Sequence, residues 1–183
     1  MAREVECKIH IPEYRLTALT DVIDKAFPAI VKQVVDKRDV YYSRDGFTAD
    51  FRIRQENSIL VLTRKQKEHR NDRVEVNDEI EFTVPRKESG ALHAFFGSLG
   101  YVPLIEKGKQ GNLWKDGGLS IELVHVDGLG YYLEMERLLE DSATDEQVQS
   151  ALEELSDLRT RLGVADYPLE GRYYLEMLQE QNS

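Results

Sequence analysis

The chain is poor in the features that would mark a secreted, membrane-spanning or nucleic-acid-binding protein. It has one cysteine in 183 residues, Cys7, which excludes an internal disulfide framework and fits a reducing cytoplasm. No apolar run approaches the about 18 residues that cross a bilayer, and no charged-apolar-small leader opens the chain. The expectation is a soluble, cytoplasmic protein with no membrane partner. Positive charge is also in deficit: 24 Lys and Arg against 34 Asp and Glu give a net charge of −10. That balance argues against nucleic acid as a partner. A small polyanion can still bind where cations converge locally or a divalent metal intervenes. There is no repeat, low-complexity tract or linker, and 41% hydrophobic residues suffice for a core, so residues 1–183 read as one domain.

What the chain does have is alternation. Strands are expected over 3–11, 30–43, 47–55, 58–66, 75–84, 101–108, 111–115, 118–126 and 131–138, with turn signals at Asp45-Gly46 and Asp116-Gly117-Gly118. Residues 67–74 read as a charged loop. A helix follows Pro12, with Leu16, Leu19, Val22, Ile23 and Ala26 on one face. A second runs from Ser89 to Leu99 before Gly100, with Leu92, Phe95, Phe96 and Leu99 turned inward. Thr144 to Gln147 has capping-box form and starts a third, running to Leu162 and stopped by Gly163; a fourth covers 171–180. Strands in hairpin succession with a few helices predict an antiparallel sheet large enough to close.

Several strands carry like charges two residues apart: Glu4/Glu6, Arg52/Arg54, Glu79/Glu81, Lys107/Lys109 and Glu134/Glu136. Chance alone gives on the order of nine such pairs at this composition, so their number decides nothing. The residues between them are more informative. Val5, Ile53, Ile80 and Met135 are apolar, which puts charge on one face of each strand and apolar groups on the other. In an open sheet the charged face would meet bulk water; in a closed one it would line a wet interior.

The order of these elements resembles the CYTH superfamily, the triphosphate tunnel metalloenzymes. Glu4-x-Glu6-x-Lys8 is similar to the family's opening signature, and Asp39-Val-Tyr41-Tyr42 to its Asp-x-Tyr-Tyr/Phe strand. Phe51-Arg52-Ile53-Arg54, Leu62-Thr63-Arg64-Lys65, Glu79-Ile80-Glu81 and Ile105-Glu106-Lys107-Gly108-Lys109 follow in the family's order. Gly128-Leu129-Gly130-Tyr131-Tyr132-Leu133-Glu134-Met135-Glu136 is close to its Gly-Leu-Gly-x-Phe-x-Glu-x-Glu, and Arg172-Tyr173-Tyr174 echoes its final helix motif. Three positions depart. Val124 stands where an aspartate is usual, and Glu122 on the same strand face is taken as the substitute. Lys109 replaces an arginine and loses the bidentate fork. Tyr173 replaces a serine and receives no role.

The resemblance implies an α+β fold with a closed antiparallel eight-stranded β-barrel, the triphosphate tunnel, and flanking helices. It implies Lys8, Arg52, Arg54, Lys65, Lys107 and Lys109 as substrate-binding cations. It further implies Mg²⁺ or Mn²⁺ held by Glu4, Glu6, Glu134 and Glu136, followed by Glu122, Glu81 and Glu79. Lys65 and Tyr41 are the catalytic candidates, Tyr41 assisting Lys65 in proton handling or, equally, standing as a half-buried structural tyrosine. Trp114 is a candidate for stacking on an organic group or, alternatively, a wall residue. His10, His69, His93 and His125 show no ligand spacing; His125 is expected to pack or hydrogen-bond, and Cys7 to pack. The expected partner is a triphosphate-containing small molecule, and a homodimer is compatible with the sequence. The expected activity is metal-dependent hydrolysis of tripolyphosphate, thiamine triphosphate or a nucleoside triphosphate. The alternatives are a class IV adenylyl cyclase and a non-catalytic polyphosphate- or nucleotide-binding module. Those cyclases usually carry His-Phe several residues before Glu-x-Glu-x-Lys, where this sequence has Met1-Ala2-Arg3, which favours the phosphatase.

Overall fold

A computed structural model of the chain describes residues 2–68 and 75–181. Eight strands carry the architecture: β1 (Ala2–His10), β2 (Gln33–Ser43), β3 (Phe51–Glu56), β4 (Ile59–Glu68), β5 (Glu75–Pro85), β6 (Val102–Asp116), β7 (Leu119–Val126) and β8 (Gly130–Glu140). Four α-helices accompany them: α1 (Leu16–Ala26), α2 (Ser89–Ser98), α3 (Asp145–Arg161) and α4 (Tyr174–Gln181). The fold is α+β, and every strand pairing is antiparallel within one curled sheet. The strand order is β1-β5-β4-β3-β2-β6-β7-β8. β1 is paired on both edges, with β8 along its whole length and with β5 over Ala2–Glu6.

Period-two alternation sorts the side chains. On the outer face, Val5, Cys7 and Ile9 of β1 join Trp114, Ile121, Leu123, Leu133 and Met135. Leu19 and Ile23 of α1, with Val148, Ala151, Leu155 and Leu158 of α3, cover them. Each fully buried aliphatic side chain there contributes roughly 1.5–3 kcal/mol. A second outer cluster, Tyr42, Ile53, Leu60 and Leu62, takes Leu92 and Phe96 of α2. On the inner face an apolar group of Val35, Val124, Val126 and Tyr132 receives Tyr174 and Met177 of α4. The segment after α3 lies along β1, where the Glu170 N–H donates to the Lys8 carbonyl at 2.8 Å. Gln179 Nε2 of α4 donates to the Phe47 carbonyl at 3.0 Å, so α4 spans one end of the sheet.

The elements differ from expectation in four places. The strands expected at 101–108 and 111–115 are one continuous β6. Gly108 and Gly111 do not turn; they let neighbours approach. A Cβ on Gly111 would overlap the Leu123 carbonyl oxygen and lie 2.7 Å from Val124 Cα, and one on Gly108 would overlap the Asp127 carboxylate. β3 begins at Phe51 rather than 47 because Asp45 Oδ1 accepts from the Phe47 and Thr48 N–H groups at 2.8 Å, folding 44–50 into a loop. Phe95 and Leu99 of α2 are exposed, because only Leu92 and Phe96 of that helix reach the second outer cluster, and Val22 of α1 is exposed beside the buried Leu19 and Ile23. Of the expected charged loop, 67 and 68 extend β4; the remainder, with His69, lies outside the described residues. The Thr144 capping box forms in full, with Gln147 as its reciprocal partner.

Candidate functional site

The inner face encloses a cavity of about 800 Å³, lined by nine carboxylates and eight cations. Its composition follows from strand parity. Glu4, Glu6 and Lys8 of β1 project inward opposite to Val5 and Cys7, and β8 does the same with Glu134 and Glu136 around Met135. All fourteen side chains singled out from the sequence line this one cavity: Tyr41, Lys65, the five other cations and the seven glutamates. They divide into two walls.

The β2-β3-β6-β7 wall is dense with paired cations. Asp39, fully buried, accepts from Arg54 Nε at 2.7 Å and Nη2 at 3.0 Å. Lys107 Nζ lies 2.9 Å from the same carboxylate and Arg52 Nη1 3.9 Å. Burial pushes the Asp39 carboxyl upward, but Arg54, Lys107 and Arg52 together hold it well below the usual carboxylate range. Beside it, Lys37 donates to Glu122 at 2.7 Å, and Lys109 lies 2.5 Å from the other Glu122 oxygen and also bonds Glu134. Against the cost of burial, Lys109 and Lys37 keep Glu122 strongly ionised. Tyr41 belongs to this wall. Lys107 Nζ sits 5.9 Å from its ring centre, and with Arg52 and Arg54 lowers the phenol despite burial and the Asp39 charge.

The β1-β8-β5-β4 wall is acidic. Carboxylate oxygens of Glu4, Glu6 and Glu136 lie within 4.8 Å of one another. Lys65 donates to Glu4 at 3.1 Å and pairs with Glu79. Burial, together with Glu136 and Glu79, raises the Glu4 carboxyl to about 8 in spite of Lys65. Burial and the nearby Glu6 raise Glu136 to about 7. Glu6 goes the other way: Lys8, Lys65 and Lys109 outweigh its burial and lower it. Glu4, Glu6 and Glu79 raise Lys65 well above its ordinary value although burial opposes this.

The seven glutamates are therefore not one cluster. Glu4, Glu6 and Glu136 converge; Glu79 is engaged by Lys65, and Glu122 and Glu134 by Lys109. Glu81 accepts from Thr63 Oγ1 at 3.0 Å, which itself accepts from Arg52 Nη2 at 2.9 Å. Tyr41 lies beside Lys107, while Lys65, on β4 beyond β3, is engaged by Glu4 and Glu79. Trp114 is buried on the outer face and donates to Asp24 at 2.7 Å, so it is wall and not mouth. His10 meets Tyr132, His93 bonds Tyr42, and His125 lies against Tyr131. Lys37, Asp39 and Tyr174 are inner-face residues to which sequence reasoning gave no role. Parity would have found the first two, since they alternate with Tyr41 on β2. Tyr174 lies between Lys8 and Lys107, whose Nζ atoms are 5.0 and 4.9 Å from its ring centre.

With this geometry in hand, comparison with known proteins gives the family. The CYTH domain profile matches residues 2–174. The chain belongs to the CYTH domain family. A Methanocaldococcus jannaschii protein named as a candidate adenylate cyclase is 27% identical over 95% of this chain and 97% of its own. Among solved structures, this CYTH chain superposes on a Pyrococcus horikoshii protein with a TM-score of 0.77, at 23% identity over 97% of this chain and 99% of that one. A Hippeastrum protein, described as a candidate adenylyl cyclase with a dominant triphosphatase activity, matches with a TM-score of 0.67 at 17% identity, covering 99% and 96%. These structural likenesses speak to the fold. Among the described residues, no helix of this CYTH chain is long and apolar enough to cross a membrane.

Proposed function

We propose that the chain is a metal-dependent triphosphatase whose closed β-tunnel binds an inorganic or organic triphosphate and releases orthophosphate. The observation that carries the reading is the charge of the cavity. Its lining holds nine carboxylates against eight cations, so a highly charged triphosphate is held more firmly when further positive charge enters with it. The Glu4, Glu6 and Glu136 oxygens offer a place for that charge. Three hard donors within 4.8 Å of one another fit Mg²⁺ or Mn²⁺, and burial together with the neighbouring carboxylates raises Glu4 and Glu136, a cost that a bound cation would relieve. Bound there, the ion would neutralise phosphate charge and acidify a water.

The chain's own residues supply the rest. Arg52, Arg54, Lys107, Lys109 and Lys8 bind the phosphate oxygens, with guanidinium forks fixing orientation. Lys65, kept cationic by three glutamates, stands at the boundary between the phosphate wall and the acidic wall and orients the reacting phosphoryl group. Tyr41 donates to a phosphate oxygen beside Lys107. Glu122, Glu134, Glu81 and Glu79 serve as counter-charges that hold these cations.

A second reading, cyclisation of ATP with release of pyrophosphate, is favoured by the name of the Methanocaldococcus jannaschii relative, which matches nearly end to end. Hydrolysis is favoured by the Hippeastrum protein's described activity. Incubation with tripolyphosphate, thiamine triphosphate and ATP under Mg²⁺ or Mn²⁺, assaying phosphate and cyclic AMP separately, decides between them. Phosphate release without cyclic AMP is expected; cyclic AMP with negligible phosphate would overturn the ranking.

A further inference from the structure

Asp39 has the most completely enclosed carboxylate of the inner face, yet it faces three of the cations proposed to meet phosphate. Its side chain has no exposed surface, so it cannot itself reach a solvent-borne ligand. Both Asp39 oxygens are used. Oδ1 accepts from Arg54 Nε at 2.7 Å; Oδ2 accepts from Arg54 Nη2 at 3.0 Å, with Lys107 Nζ at 2.9 Å and Arg52 Nη1 at 3.9 Å. A bidentate carboxylate fixes the plane of a guanidinium as well as its position. Arg52 is held from its other end by Thr63 Oγ1 at 2.9 Å, and its Nε is a buried donor without a protein acceptor.

We propose that Asp39 is a positioning residue that locks Arg52, Arg54 and Lys107 into one phosphate-accepting face. The inference rests on the triphosphate reading of the cavity and adds to it the group that organises substrate recognition. Two physical effects of losing Asp39 have opposite signs, which makes the idea testable. If Asp39 only dilutes positive charge, neutralising it should tighten anion binding. If it positions, three buried cations left without their shared partner repel one another, the Arg54 fork loses its frame, and binding weakens.

The test uses the full chain and inorganic tripolyphosphate with Mg²⁺, reading affinity from the concentration dependence of the thermal midpoint alongside kcat and KM. For Asp39→Asn, nearly isosteric but uncharged, KM and the half-saturating tripolyphosphate concentration are expected to rise about tenfold or more, with kcat within about threefold. Mn²⁺ affinity without tripolyphosphate should stay unchanged, because the Glu4/Glu6/Glu136 group is on the other wall. Asp39→Glu keeps the charge but moves the pivot by one methylene, and a rise of several-fold is expected; should Asp39→Asn not fold, this variant decides. A folded variant that binds tripolyphosphate as tightly as the parent, or more tightly, overturns the positioning role alone. A parent chain that neither binds nor hydrolyses tripolyphosphate overturns both this inference and the reading beneath it.

Discussion

The two walls of the inner face contain the same kinds of side chain and reach opposite electrostatic outcomes. On the β2-β3-β6-β7 wall each buried acid sits between cations: Asp39 among Arg54, Lys107 and Arg52, and Glu122 between Lys37 and Lys109. Its acids are held ionised despite burial. On the β1-β8-β5-β4 wall three acids face one another; Lys8, Lys65 and Lys109 hold Glu6 down, while burial and the neighbouring carboxylates push Glu4 and Glu136 up to about 8 and about 7 despite Lys65. Dense pairing keeps the acids of one wall ionised, and sparser pairing leaves two acids of the other raised, where on the reading proposed above a cation would gain most. The cost of an unpaired buried charge is several times that of a solvent-exposed one, which is why the asymmetry is informative about binding.

The comparison can be broken most severely at the acidic wall. Glu6→Gln or Lys65→Ala is expected to lower turnover by about a hundredfold or more with the fold intact by circular dichroism; unchanged rates in either would remove the wall's proposed role. On the paired wall the large effect should fall on stability instead. Glu122→Gln leaves Lys37 and Lys109 short of a buried counter-charge, and a loss of about 3 kcal/mol in chemical denaturation is expected, with the Lys37→Gln, Glu122→Gln double variant recovering part of it. A smaller effect separates the walls by pH. Glu4 and Glu136 keep their protons in the folded chain to higher pH than in the unfolded one, so folding takes up protons between about pH 5 and pH 8. Stability in EDTA should therefore fall as pH rises through that window, and saturating Mg²⁺ or Mn²⁺ should flatten the slope; a metal-insensitive profile would argue against an ion at the triad. The smallest change is expected for Tyr41→Phe. Its phenol sits with Lys107 rather than Lys65, and steady-state kinetics should show a loss of less than about tenfold.

Much of this was legible from alternation alone. Apolar residues between like charges correctly separated inside from outside on β1, β3 and β8, and every side chain chosen for its charge faces the cavity. Sequence could not say which charges meet. That depends on register across strands distant in the chain, as when Glu6 comes opposite Glu136, and on barrel-like stagger that brings Lys65 to Glu4 rather than to Tyr41. The break expected between 108 and 111 does not exist, because Gly108 and Gly111 lie within one continuous β6 and serve close approach of Asp127 and of the β7 backbone. The exposure of Phe95 was equally invisible: the helical period was right, but only contact with the second outer cluster decides which apolar positions are covered.

The double pairing of β1 has a consequence for how the protein comes into being. β1 is the first of the eight strands to leave the ribosome, and its partner β8 is the last. Its greasy side, Val5, Cys7 and Ile9, must wait through the synthesis of most of the chain before that neighbour arrives, a delay typical of slow, non-local zippering and a natural point for chaperone protection. Because Glu4 and Glu6 come from β1 and Glu136 from β8, the acidic triad is absent from any nascent intermediate in which this seam is unzipped. On the reading proposed above, the place for an ion forms only after β8 has joined β1.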